Sequence, residues 1–169
     1  VVAYLQHRGR CRPRAGGADG GLTMDGDALR DADGGLTMDG DALRDVCLTF
    51  RGSEETFPFG FETSVFKVAG KMFALSRLAA EPLSVSVKCD PLLAQQLRAA
   101  HGAITPGYHL NKRHWNTILL DGTLPDQMVC DMIEDSYDLV VSGLSRARQR
   151  ALGWQAAAGE RAARWPDPG

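Results

Sequence analysis

Residues 111–114 read Asn-Lys-Arg-His, and Trp115 follows directly. Two fixed cations, an imidazole and an amide beside an indole are residue types that engage nucleic acid. Lys and Arg pair with phosphate oxygens, Asn bridges a phosphate or a base edge, and Trp stacks on a base. Each also has a structural use: a Trp entering a strand is usually buried, and an Asn in a turn bonds its own backbone. For Trp115 the structural use is the stronger reading, whereas Lys112 and Arg113 carry the functional one. Lys67, Lys71 and Lys88 lie on neighbouring β-rich runs. They form a basic stripe if they share an exposed face with Lys112, and are ordinary surface lysines otherwise. The candidate contacts are therefore Asn111, Lys112, Arg113, His114, Lys88, Lys71 and Lys67.

Other chemistries fit less well. Cys11, Cys47, Cys89 and Cys130 are dispersed, with no CxxC or Cys/His cluster, so buried thiols are expected rather than a zinc or redox site. Cys89 with His109 or His114 is the one nucleophile–base pairing to consider, but no strained elbow or Gly-rich oxyanion loop accompanies it. The Gly-rich run at residues 16–21 follows no strand and is no phosphate loop. Asp126, Asp131, Glu134, Asp135 and Asp138 line one helix, a pattern that reads as a solvated face before it reads as a metal site. Phe57, Phe59 and Phe61 around Pro58 read as packing that caps the core. No catalytic residue, metal or cofactor is expected.

Charge limits any polyanion binder. Residues 38–150 hold twelve Lys and Arg against fourteen Asp and Glu. Typical nucleic-acid domains are basic, so binding requires the charges to be segregated, and its affinity should be modest and salt-dependent.

The elements that must position these residues follow from periodicity and punctuation. Asp39 or Asp41 caps a helix running to about Phe50, with Leu43, Val46, Cys47 and Phe50 on one face. Residues 54–60 read as a loop. Residues 63–68 and 71–78 form a hairpin about Ala69-Gly70. Residues 83–88 alternate, with Leu83, Val85 and Val87 facing inward. Asp90 caps a helix with Pro91 at its first position and Leu93, Leu97 and Ala100 as its stripe. Residues 104–113 read as an irregular connection, and residues 114–120 as a strand. A long helix spans about 125–150, burying Met128, Val129, Met132, Ile133, Ser136, Tyr137, Val140 and Leu144. The expected class is α+β, an antiparallel sheet with helices packed on one face, in the order α-β-β-β-α-β-α.

Residues 18–31 (ADGGLTMDGDALRD) recur without change at residues 32–45. Two identical copies are too few and too alike for a solenoid and point to a duplication in the coding sequence. Met24 and Met38 both read as natural starts. Residues 1–37 are expected to be disordered or spurious extension, residues 38–150 the domain, and residues 151–169 a flexible tail. No apolar run approaches the roughly 18 residues that span a bilayer, so a cytoplasmic protein without membrane contact is expected.

Several motifs occur together between Phe57 and Val140. They are FPFG (57–60), VFKV (65–68), GKMFA (70–74), VKCDP (87–91), PGYHLNK (106–112), HWNT (114–117), Asp121-Gly122 and SYDLV (136–140). In this order they resemble the MmcQ/YjbR family. That resemblance implies a compact fold similar to the CyaY/frataxin class, two wing-like elements that contact DNA, and small cytoplasmic bacterial proteins. DNA is the partner it implies. A protein- or small-ligand-binding domain of the same fold, or a metal-binding frataxin-like protein, remains the alternative.

Overall fold

A computed structural model describes residues 38–154. The expectations for residues 1–37, for most of the duplication and for the tail beyond Trp154 lie outside the described residues.

Four helices and six strands follow the order α1 (Gly40–Leu48), β1 (Ser53–Thr56), β2 (Ser64–Val68), β3 (Lys71–Ser76), β4 (Ser84–Lys88), α2 (Pro91–Ala100), β5 (Ile104–Pro106), β6 (Trp115–Leu119), α3 (Asp126–Ser142) and α4 (Arg146–Ala151) among the described residues. The strands form one sheet in the order β1-β2-β3-β4-β6-β5, with every neighbouring pair antiparallel. The α+β class holds, with two strands more than the sequence pattern predicts.

Both extra strands are edges. β1 occupies the first half of the expected 54–60 loop, where Glu54 and Glu55 mask its strand character. β5 is three residues long and ends at Pro106. Acidic side chains and a proline are suited to edges, because they discourage pairing with another chain. The β2–β3 hairpin closes at Ala69-Gly70, both with positive φ (50° and 75°), the backbone of a tight twisted turn.

The helices pack as one layer. Asp39 caps α1 by accepting from the Ala42 amide at 2.8 Å, and Asp90 caps α2 by accepting from Leu92 and Leu93. Leu43, Val46 and Cys47 of α1, Ala94 and Leu97 of α2, and the apolar face of α3 join one core with Phe66, Val68, Phe73, Val85, Val87 and Ile118. On α2 the buried stripe runs through Ala94 and Leu97, while Ala100 is exposed. The face predicted for the last helix is buried as expected, but the helix is interrupted. α3 ends at Gly143, and Ser145 caps a separate α4. A Ser-Gly pair followed by a capping Ser breaks the helical ladder without disturbing the apolar period.

One seam in the sheet depends on α3. Pairing of β2 with β3 shifts register between Phe66 and Lys67, which leaves Phe73 as the extra residue of a bulge. The Ser136 hydroxyl of α3 donates to the Phe73 carbonyl and accepts from the Lys88 amide at 2.8 Å. A helix side chain thus bridges β3 and β4 just beyond their last paired residues, Ala74 and Val87.

Candidate nucleic-acid interface

The registers bring one end of the sheet together from distant parts of the sequence. Val68, Lys71, Lys88, Trp115 and Pro106 are the strand termini at that end, where Val68 pairs with Lys71 and Lys88 with Trp115. Two hairpin tips project there: the Ala69-Gly70 turn and the 107–114 loop. The end of β4 lies between them.

Lys67 and Lys88 alternate with the core residues Val68 and Val87, so both lie on the face opposite α3. Lys71 pairs with Val68 and therefore belongs to the other face, though it is exposed at the hairpin turn. The expected stripe is thus shorter than proposed: Lys67 and Lys88 share a face, and Lys71 shares only their end. Glu54 lies directly across from Lys67.

Asn111, Lys112, Arg113 and His114 are exposed, in the loop that joins β5 to β6. Asn111 Oδ1 accepts from the Arg113 amide at 3.0 Å, the turn-stabilising use of an asparagine, so this oxygen shapes the loop. Trp115 is buried (6 % exposed), which fits its structural reading. The loop before it is tied to it: the Gly107 amide donates to the Trp115 carbonyl at 2.8 Å, and the space a Cβ on Gly107 would need is taken by the Trp115 and Leu110 Cβ atoms. Farther along, the Tyr108 amide donates to Thr117 Oγ1 at 3.3 Å, and Thr117 Oγ1 lies 2.8 Å from Ser86 Oγ. These bonds draw the loop over the face opposite α3, beside Lys88.

Sequence reasoning passed over Tyr108 and weighed His109 only as a base for Cys89. Tyr108 is 75 % exposed, and His109 has φ of 54°, the left-handed region that a histidine adopts uncommonly. Their rings meet edge-on with centroids 4.0 Å apart. The available signal was a Tyr-His pair following Pro106-Gly107, outside any apolar period and so without a core position to fill.

Charge is segregated between the two ends. The end just described carries Arg51, Lys67, Lys71, Lys88, Lys112 and Arg113, with Glu54 and Asp90, and the α3 carboxylates Asp135 and Asp138 lie beside Cys89 and Tyr137 at the same end. Leu152, just past α4, packs on Gly52 there, and α4 exposes Arg146, Arg148 and Arg150. The opposite end holds Glu62, Glu81 and Asp121 in its loops and Asp39, Asp41 and Asp126 at the starts of α1 and α3. Of its arginines, Arg77 is bridged to Glu62 at 2.8 Å.

The other sequence readings resolve as follows. Cys89 is buried, and desolvation, followed by the nearby Asp135 and Asp90 carboxylates, pushes its thiol up to about 12. It is bound to the 114 position only through backbone, its amide donating to the His114 carbonyl at 2.8 Å. That environment opposes a thiolate nucleophile. Cys47 and Cys130 are buried free thiols as well. The α3 acids are not all a solvated face: Asp131 and Glu134 are buried, with Gln127 Nε2 donating to Asp131 at 2.9 Å. No group of three or more His, Cys, Asp or Glu placed to hold a metal occurs among the described residues. Tyr137 is the expected buried, hydrogen-bonding aromatic, donating to the Arg51 carbonyl at 2.6 Å. The phenylalanines depart from expectation. Phe57, Phe59 and Phe61 are 43 %, 68 % and 93 % exposed in the β1–β2 loop, at the acidic end, and do not cap the core. A turn closed by the Gly60 amide donating to the Phe57 carbonyl at 3.3 Å holds them in the loop beyond the end of β1.

The fold is an α+β domain with a six-stranded antiparallel sheet and one helical layer. The family model described as YjbR matches residues 48–139, and the chain belongs to that family. It is 33 % identical over 106 residues to YjbR of Escherichia coli (strain K12), covering 63 % of this chain and 90 % of that protein. It is 39 % identical over 102 residues to YbdF of Escherichia coli O157:H7, covering 59 % and 81 %. The crystal structure of a Deinococcus radiodurans protein with a DUF419 domain superposes with a TM-score of 0.66 at 43 % identity, covering 70 % of this chain and 91 % of that one. Among the described residues no helix is long and apolar enough to cross a membrane.

Proposed function

We propose that this domain binds DNA without catalysing a reaction on it, by presenting its basic end to the phosphate backbone. The observation that carries the reading is the bias of charge between the ends: in a chain of net charge −2, six Lys and Arg gather at the end with the two hairpin tips and outnumber Glu54, Asp90, Asp135 and Asp138 there, while the far end is acidic. A local positive field attracts a polyanion even where the net charge is slightly negative. On this reading the two tips would serve as the pair of wing-like elements that the family resemblance implies. Lys112 and Arg113 are the principal contacts, with Lys88, Lys67 and Lys71 supporting and His114 beside them. Asn111 acts mainly by shaping the loop.

Fluorescence anisotropy with a labelled duplex at two salt concentrations tests this reading. Binding in the micromolar range that weakens as salt rises, and is lost in Lys112→Ala/Arg113→Ala, supports it. Absence of binding at low salt, or binding indifferent to both substitutions, removes it.

A second reading has its own observation. The exposed Phe57, Phe59 and Phe61 loop is an apolar surface of the kind that proteins dock on. Under that reading the domain is a protein-binding module, and Phe59→Ser/Phe61→Ser abolishes partner binding while leaving DNA untouched.

A further inference from the structure

We propose that the nucleic acid engaged by the 107–114 loop is single-stranded, with an unpaired base stacking on Tyr108 and His109. This inference rests on the nucleic-acid reading above and specifies its substrate class. Phosphate pairing accounts for Lys112 and Arg113 but leaves the two aromatics beside them unexplained. Tyr108 keeps three quarters of its surface in water, with His109 as its ring contact. Tyrosine is an amphipathic aromatic enriched at interfaces, so an exposed one held in place by the fold is a surface available to a ligand.

The fold does hold it. The backbone entering Tyr108 is tied to β6, by the Gly107 amide to the Trp115 carbonyl and by the Tyr108 amide to Thr117 Oγ1. His109 follows in the left-handed conformation, which brings the two rings edge-to-face. Lys112 and Arg113 come three and four residues after His109, and Lys88 pairs across from Trp115. An aromatic pair flanked by cations is the combination that binds an unpaired strand, because bases present stacking faces while phosphates run alongside. A duplex offers its phosphates to the same cations but keeps its bases stacked inside.

The test compares a short labelled oligothymidylate with a duplex of equal length, on the full chain. Tyr108 is exposed, so its replacement leaves the fold intact, as circular dichroism checks. The expected result is that Tyr108→Ala weakens the strand about tenfold or more while duplex affinity stays within about twofold, and that Tyr108→Phe binds like the parent. Photocrosslinking to an oligonucleotide carrying 5-iodouracil should modify Tyr108 or His109, within the tryptic peptide 99–112. Duplex binding without strand binding overturns the stacking inference and leaves the phosphate reading standing. So does strand affinity unchanged in Tyr108→Ala, or crosslinks confined to other peptides. Failure to bind either nucleic acid overturns both.

Discussion

Gly107 and Trp115 are packed backbone against side chain. The Gly107 amide donates to the Trp115 carbonyl at 2.8 Å, and a Cβ on Gly107 would lie 2.7 Å from the Trp115 Cβ. The exposed loop is therefore anchored on the backbone and Cβ of the buried Trp115, and its position depends on the absence of a side chain at 107. Gly107→Val should cost about 1–3 kcal/mol, because the contact has no room to relax without moving the β6 backbone. Urea denaturation measures the loss. A variant as stable as the parent would show that the loop is not seated on Trp115.

Salt dependence offers a direct count of phosphate contacts. Removing one phosphate-binding cation should lower the slope of log K against log salt by about one. Lys112→Ala should do so for duplex DNA. Arg77→Ala, at the acidic end and bridged to Glu62, should not. Equal effects of the two substitutions would mean that binding follows net charge, with no defined basic end.

Cys89 makes stability pH-dependent on the alkaline side. Its folded thiol titrates at about 12 against an ordinary value of 9.0, so the native state holds the proton more tightly than the unfolded chain does. The associated stabilisation is fully present below pH 9 and is lost as pH rises towards 12, at no more than roughly 1.4 kcal/mol per unit. Tyr137, raised by burial and by Asp138, acts in the same direction above pH 10.0. Cys89→Ala should flatten the pH–stability curve between 9 and 12. Site-resolved alkylation of the native protein at pH 8 should leave Cys89 unmodified, and labelling at the rate of a free thiol would contradict the buried, protonated state.

Asn116 is 1 % exposed, on the core face between Val87 and Pro106, and neither amide atom has a hydrogen-bond partner within the described residues. Burying an unsatisfied amide costs about 1–3 kcal/mol. The near-isosteric Asn116→Leu should therefore be at least as stable as the parent in thermal or urea unfolding. A marked loss would mean that a bound water or other polar group satisfies Asn116.

Much of the fold is legible in the sequence because its signals are local. Asp39 and Asp90 announce their helices by side-chain geometry, Ala69-Gly70 announces a turn, and the apolar period of residues 128–144 survives the break at Gly143. β1 and β5 were hidden because an edge strand carries charges and proline that read as loop. The candidate site is legible only in part. Lys112 and Arg113 stand out by composition, but the face shared by Lys67 and Lys88, and its denial to Lys71, follow from a bulge at Phe73 that no local pattern reveals. Tyr108 and the three exposed phenylalanines were misjudged or passed over for one reason: an aromatic residue carries no local mark of whether the fold will reach it.

The Ser136 hydroxyl, which joins Phe73 to Lys88, gives the sheet an internal joint. The β2–β3 tip belongs to one leaf of the sheet and the 107–114 tip to the other, and α3 fastens the leaves at the margin nearest both tips. Ser136→Ala would leave the Lys88 amide and the Phe73 carbonyl without this partner, at a cost of about 1–3 kcal/mol. Hydrogen exchange at Lys88 should quicken in step. The span between the two tips is thereby geared to the docking of a helix on the far side of the sheet.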